Sequence, residues 1–422
     1  MKQNLVITIL SDSPFITTGY SDQCKKLVNY LTDKGHEVHW LANGHMGKTI
    51  EYARLDDGTE VKAKVYGRIQ HQYFGDMLSS HLKKTNSDIF LVVLDTFMLH
   101  GDPKNPRNGW FLNIDTAPAK TIFWYPSDGG GGMPIGCDLI LKKMDLAVAY
   151  SKFAQQQVKD YYGLETPYIP LGTEKKRFFK MSDIERHKLK QKYGLQGKFI
   201  VGSVFRNQPR KFPDRLIKTF KEVAKKIPNA VLFLHTDPND PAAPFSMSSL
   251  IRRLGLENRV VFSGMNAMNS FDWTQMNEVY NLMDVFFLAT SGEGWGIPFV
   301  EAMSAEVPVV ATLYTTTQEI IVDHKAGFGA KLAGTENINM FGMKQNEYDE
   351  EVMNGTLSGT WEVERGFCDI KDAAEKIIDL YNRPELREEM GKNGRKAVEE
   401  EYDQDIVNKK WEETFLNLCK SG

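Results

Sequence analysis

The sequence is poor in cysteine: four residues in 422, Cys24, Cys137, Cys368 and Cys419, none spaced as CxxC. That spacing suggests neither a zinc site nor a disulfide framework, and scattered thiols suit a reducing cytoplasm. Long hydrophobic runs are missing too. No stretch of 18 apolar residues occurs, so no membrane-spanning helix is expected. The short run Leu5–Leu10 lacks the length and cleavage site of a secretion signal. An excess of one charge is absent: 52 Lys and Arg stand against 55 Asp and Glu, a net charge of −3. A nucleic-acid binder would need clustered basic excess, and none is indicated. HExxH, a Walker loop, a GxSxG elbow and a GxGxxG after the first strand are all absent. The nine histidines form no metal pattern, and the sequon Asn354-Gly355-Thr356 reads as chance.

What is present is ordinary globular material, 41% hydrophobic and 25% charged. Short apolar segments alternate with helical ones. Leu5–Leu10, Val38–Ala42, Val61–Tyr66, Ile89–Leu94, Thr121–Tyr125 and Leu146–Ala149 read as strands. Gly19–Asp33 reads as a helix with Cys24, Leu27, Val28 and Leu31 on one face, and Met77–Lys84 as another. A second series repeats the alternation. Its strands are Phe199–Val204, Ala230–His235, Val260–Ser263, Val285–Ala289 and Val307–Ala311. Its helices are Asp214–Lys226, Ser246–Leu254, Met276–Met283 and Pro298–Ala305. Strands alternating with helices imply parallel sheets covered on both faces. The reading is therefore α/β, with two Rossmann-like doubly wound domains joined near Tyr168–Thr173. Residues 334–366 show no period and read as a loop insertion in the second domain. Asp369 reads as an N-cap, Pro384 as the start of a new helix, and Glu399-Glu400-Glu401 as a solvated helix face.

The chemistry concentrates at strand ends. Ser291-Gly292-Glu293-Gly294-Trp295-Gly296-Ile297-Pro298 follows the strand Val285–Ala289. Ligands of open α/β sheets bind at the carboxyl ends of strands. Pro298 suits a first helical turn, whose free N–H groups favour an anion such as a diphosphate. Glu293 and Glu301 can face one crevice and accept hydrogen bonds from sugar or ribose hydroxyls. The alternative is a glycine-rich strand-to-helix turn with two surface glutamates. A second strand end, Arg206-Asn207-Gln208-Pro209-Arg210-Lys211, carries cations suited to diphosphate, although a basic loop is commonly just solvated. Thr17-Thr18-Gly19-Tyr20 follows the first strand and reads as a turn and helix start. Tyr125-Pro126-Ser127-Asp128 precedes Gly129–Gly132, four glycines that imply a flexible loop. Asp95 ends another strand and is either a site residue or a turn cap.

The stretch Glu293–Glu301 resembles the E-x7-E motif of retaining glycosyltransferases of the GT-B fold, the family 4 or "group 1" type. The resemblance extends over most of the chain. Pro170–Phe178 is similar to the family's interdomain segment, and Val307-Pro308-Val309-Val310-Ala311-Thr312 to its "G-x-PVVAT" strand, with Glu306 where glycine is usual. Glu319 matches a family glutamate, and Tyr381–Tyr402 its closing helices. The resemblance implies two domains facing each other across a cleft. Residues 1–170, with a helix of about 403–422 crossing back, would bind the acceptor. Residues 171–402 would bind a UDP- or GDP-linked sugar.

It also implies roles. Arg206 and Lys211, five apart as in the family, would take the donor diphosphate, with Arg210 passed over. Gly294, Trp295, Gly296 and Ile297 would add backbone contacts, Glu293 would hold the sugar and Glu301 the ribose. Gly19 and Tyr20 would approach the donor. Asp128 would act near the reacting centre in place of a family histidine, and with Asp95 would meet the acceptor. No metal and no cofactor beyond the nucleotide sugar are expected. The acceptor is a carbohydrate, lipid-linked or other hydroxyl compound, membrane contact is peripheral at most, and the location is cytoplasmic. A nucleotide-sugar epimerase of the same fold and a non-catalytic sugar-binding relative remain as alternatives.

Overall fold

The computed structural model describes residues 4–55, 58–71, 73–100, 109–133, 136–266, 271–339 and 362–420. The chain divides into two units. One comprises Met1–Leu171, Asn337–Val363 and Gln404–Gly422; the other comprises Gly172–Glu336 and Glu364–Asp403. The sequon and the centre of the 334–366 segment lie outside the described residues.

In the first unit the strands are β1 (Val6–Asp12), β2 (Glu37–Met46), the short pair β3 (Ala53–Arg54) and β4 (Glu60–Val61), β5 (Lys64–Arg68), β6 (Ile89–Val93), β7 (Lys120–Tyr125) and β8 (Leu146–Ala149). The helices are α1 (Gly19–Asp33), α2 (Leu78–Thr85), α3 (Thr96–His100), α4 (Cys137–Lys143) and α5 (Lys152–Tyr162). Six strands form a parallel sheet in the order β5-β2-β1-β6-β7-β8. All of β6 is buried, as a central strand covered on both faces must be.

Local chemistry explains α1. Thr18 caps it, its hydroxyl accepting from Ser21 N–H, and Gly35 at φ +91° lets the chain turn after it. Cys24, Leu27, Val28 and Leu31 are buried on one face. Leu31→Ala would cost about 2–5 kcal/mol at such a site.

In the second unit the helices and strands are α6 (Asp183–Lys192), β9 (Phe199–Val204), α7 (Pro213–Lys226), β10 (Ala230–His235), α8 (Met247–Arg253), β11 (Val260–Phe262), α9 (Trp273–Leu282), β12 (Val285–Leu288), α10 (Ile297–Ser304), β13 (Val309–Thr312) and β14 (Gly327–Ala330). The parallel sheet runs β11-β10-β9-β12-β13-β14. Gly202 is required in β9, because a Cβ there would overlap the Met283 side chain. Glu306 adopts φ +57°, a left-handed position that explains why glycine suits it better.

Further along lie β15 (Leu332–Asn339), β16 (Glu362–Cys368), α11 (Ile370–Asn382), α12 (Pro384–Ala397) and α13 (Gln404–Lys420). The expected loop at 334–366 is thus bounded by strands, since β15 and β16 pair as a two-stranded ladder. Asp369 caps α11, accepting from Lys371 and Asp372 N–H, and Pro384 opens α12. Glu399 and Glu400 are exposed. Helix α13 packs on the first unit: Trp411 meets Trp124 of β7 edge-on at 4.9 Å, and Glu412 accepts from Tyr30 of α1 at 2.7 Å. No helix among the described residues is long and apolar enough to cross a membrane.

Candidate functional site

Strand order locates the ligand crevice of each sheet. The order reverses between β9 and β12 in the second unit, so the loops after these strands, 205–211 and 289–297, open a crevice at the carboxyl edge. Both predicted donor segments meet there. Pro209–Lys211 forms a 3-10 turn, and Phe212 follows at φ +46° before Pro213 starts α7.

Glu293 is the centre of this site. It is 5% exposed, and its backbone N–H donates to Thr315 Oγ1 at 3.0 Å. Lys211 Nζ pairs with its Oε1, and Arg210 Nη1 with its Oε2 at 3.1 Å. Burial pushes the carboxyl up, but Lys211, Arg210 and the hydroxyl of Thr290 outweigh it and hold Glu293 down at about 2. Glu293 is therefore an ionised carboxylate, acceptor-only, held between two cations.

The turn into α10 is made by Gly296 at φ +103°, where a Cβ would enter the Phe299 ring. Pro298 sits in the first turn and carries no N–H, and Phe299 N–H donates back to Gly296 O at 2.9 Å. Trp295 is buried against Tyr402, and its carbonyl accepts from Thr316 Oγ1 at 2.7 Å. Glu301 lies on α10 and accepts from Tyr280 Oη at 2.5 Å. Burial, then Glu301 itself, raise the Tyr280 phenol well above its ordinary value, so it stays a donor. Glu319 is buried in the turn after β13.

Of the two candidate arginines, the structure brings Arg210 and not Arg206 onto Glu293. Arg206 is exposed and donates to Asp240 Oδ2 at 3.0 Å. The five-residue spacing from Lys211 marks Arg206, whereas the tight 3-10 turn aims Arg210 and Lys211 at one carboxylate. Arg210, Tyr280, Thr290 and Thr315 touch Glu293 or Glu301 and were not assigned to the site from the sequence. Only Arg210 carried a signal, its adjacency to Lys211.

In the first unit the order reverses between β1 and β6. Thr18 donates to Asp12 Oδ2 at 2.8 Å, and Asn43 Nδ2 to Asp12 Oδ1 at 3.0 Å. Gly19 is exposed at the start of α1. Tyr20 Oη donates to Asp95 Oδ1 at 2.6 Å, and burial, then Asp95, raise the phenol well above its ordinary value. Asp95 and Asp128 line one concavity with Thr96, Phe97, Ser127 and Met133. The glycine run is packed where a flexible loop was expected. Gly129, Gly130 and Gly132 are buried, Gly132 N–H donates to Gln157 at 3.0 Å, and its face abuts the Tyr161 ring. Among the described residues no group of three His, Cys, Asp or Glu is placed to hold a metal ion.

Comparison with known proteins agrees with this geometry. Residues 185–337 match the family described as "Glycosyl transferases group 1". A mannosylfructose-phosphate synthase of Agrobacterium fabrum is 28% identical over 184 residues, 42% of this chain and 39% of that protein. The capsular polysaccharide biosynthesis glycosyltransferase CapM of Staphylococcus aureus is 29% identical over 237 residues, 56% of this chain and 50% of that protein. The chain thus spans between about two fifths and half of the length of these relatives. Among solved structures, Anabaena Alr3699/HepE in complex with UDP-glucose superposes with a TM-score of 0.71 at 16% identity, over 98% of this chain and 100% of that one. Its likeness establishes the shared fold. Residues 185–337 are thus similar to the glycosyl transferases group 1 family, and the two doubly wound parallel sheets share the GT-B architecture.

Proposed function

We propose that the chain is a retaining, metal-independent hexosyltransferase that moves a sugar from a nucleotide-diphosphate sugar to a hydroxyl acceptor. The observation that carries this reading is the ionised Glu293 held by Lys211 and Arg210 beside the first turn of α10. A buried carboxylate that accepts only, next to cations at a helix N-terminus, suits a polyol joined to a diphosphate.

In this reading Lys211, Arg206 and the backbone of Gly294–Ile297 stabilise the leaving diphosphate as the anomeric carbon becomes oxocarbenium-like. Such preorganised charge is the largest common contribution to catalysis of group transfer. Arg206 would exchange its exposed pair with Asp240, worth only about 0–1 kcal/mol, for the diphosphate. Glu293 holds sugar hydroxyls, and Glu301, oriented by Tyr280, takes the ribose. The first unit would take the acceptor at Asp95 and Asp128, with Tyr20 fixing Asp95 and Gly19 leaving room at the start of α1. The donor nucleotide is UDP or GDP. A GDP-mannose-dependent mannosyltransferase of Mycolicibacterium smegmatis, 26% identical over 43% of the chain, and the UDP-glucose complex above support one each. The nucleotide sugar is a co-substrate, and no resident cofactor is proposed.

The test is donor turnover and transfer with UDP- and GDP-sugars in wild type, Glu293→Ala and Arg206→Ala. Loss of transfer in both variants supports the reading. Full activity in both overturns the site. Interconversion of the free donor without an acceptor would identify an epimerase, and binding without turnover a non-catalytic relative.

A further inference from the structure

Arg210 is anchored to the donor loop at both ends. Its Nη1 donates to Gly292 O at 3.0 Å and to Glu293 Oε2 at 3.1 Å. Its own carbonyl accepts from Ser291 N at 2.8 Å, from Ser291 Oγ at 2.9 Å and from Thr290 Oγ1 at 3.4 Å. Lys211 holds the other carboxylate oxygen, Oε1. The two cations therefore do not compete for one atom. Arg210 is a third exposed and tied to loop backbone, while Lys211 is buried on a flexible stem.

Donor binding sets these charges a problem. Resting on the nucleotide-sugar reading above, Lys211 must turn to the diphosphate. If it were the sole partner of Glu293, a buried carboxylate would then stand unpaired near a dianion. Such a group takes up a proton, and a protonated carboxyl accepts fewer hydrogen bonds from sugar hydroxyls. Among the described residues the remaining groups on Glu293 are the Thr290 hydroxyl and the Thr315 Oγ1 that accepts from its backbone, both uncharged.

We infer that Arg210 is the positioning residue of the donor site: through Gly292 O and Glu293 Oε2 it keeps Glu293 ionised and in place, which releases Lys211 for the diphosphate. Arg210 touches the carboxylate and the loop backbone and leaves the diphosphate to Lys211 and Arg206. The residue types fit this division. A planar fork can bond a carbonyl and a carboxylate together, whereas an ammonium on four methylenes can swing between two anions.

The experiment compares full-length wild type, Arg210→Gln, Arg210→Lys, Lys211→Ala and Glu293→Gln. Binding is read by calorimetry with UDP and GDP, and turnover by nucleotide release from UDP-glucose and GDP-mannose across about pH 3.5 to 8. Arg210→Gln is expected to keep nucleotide affinity while kcat falls toward 100-fold, the scale of a misplaced group. Its kcat should also gain an acid limb that wild type lacks, because losing a cation within hydrogen-bond reach raises a carboxyl by about 1–3 pH units. Arg210→Lys restores the charge and removes that limb. Lys211→Ala instead weakens UDP or GDP binding.

A wild-type kcat and flat pH profile in Arg210→Gln overturns the inference. So does a loss of nucleotide affinity equal to that of Lys211→Ala, which would make Arg210 a diphosphate ligand. Should Arg210→Gln not fold, Arg210→Lys carries the test: lower kcat at unchanged nucleotide affinity supports the assignment, and wild-type kcat overturns it. Wild-type behaviour of Lys211→Ala and Glu293→Gln as well would remove the nucleotide-sugar reading itself.

Discussion

Lys211→Met tests the electrostatics of the candidate donor site without adding a substrate. Both partners are buried, with side-chain exposures of 8% for Lys211 and 6% for Glu293. Glu293 sits near 2 in the folded chain against an ordinary 4.5. A folded value below the unfolded one contributes stability that is complete above 4.5 and lost as pH falls toward 2. At about 1.4 kcal/mol per unit this amounts to about 3 kcal/mol at neutral pH, shared between Lys211 and Arg210. Removing one partner of a buried pair costs about 3–5 kcal/mol, and Arg210 keeps the expected loss at the lower end.

The assay is a double-mutant cycle of Lys211→Met and Glu293→Gln, read as amide hydrogen exchange over Val285–Ser304. Local exchange reports this loop without assuming that a two-unit chain unfolds in one step. The double variant should be more protected than the sum of the single losses by about 2 kcal/mol. Additivity within about 0.5 kcal/mol would refute the pairing that the whole site argument rests on.

Three further outcomes follow from single contacts. Tyr280→Phe removes the donor to Glu301 and should raise the donor KM about fivefold, one hydrogen bond's worth, with kcat nearly unchanged in steady-state kinetics. Gly296→Ala forces a side chain to φ +103° and into Phe299, so the melting temperature should fall by several degrees, the consequence of about 1–3 kcal/mol. Tyr20→Phe frees Asp95 from its 2.6 Å bond; transfer should weaken while acceptor-free donor hydrolysis stays at the wild-type rate, a split visible by product analysis.

Much of the fold was legible because burial writes itself into residue type. Phe199–Val204 and Ala230–His235 are fully buried strands, and their apolar runs marked their ends. Helix α1 showed its face through Cys24, Leu27, Val28 and Leu31. What was missed has weak burial. Helix α6 buries only Leu189 among its ten residues, and its one clear sign was the Ser182–Glu185 capping box. Strand β15 is exposed along residues 332–338, so no alternation of apolar and polar side chains could announce it.

The glycine run after β7 was misread for a different reason. Absent side chains removed the apolar signal, yet they also let the backbone pack against Tyr161. Glu293 lies in the turn and Glu301 in the helix that the sequence placed after Val285–Ala289, because strand, turn and helix fix those positions. Which of Arg206 and Arg210 meets Glu293 was not legible. It depends on the direction of a single 3-10 turn, which residue spacing does not encode.

The most direct test of the account is calorimetric titration of UDP and of GDP into the full-length chain and its Lys211→Ala variant. The account predicts that one of the two nucleotides binds wild type, and that the variant binds it at least about tenfold more weakly, as loss of a charge-assisted bond requires. Binding of neither nucleotide, or equal binding by wild type and variant, would contradict it.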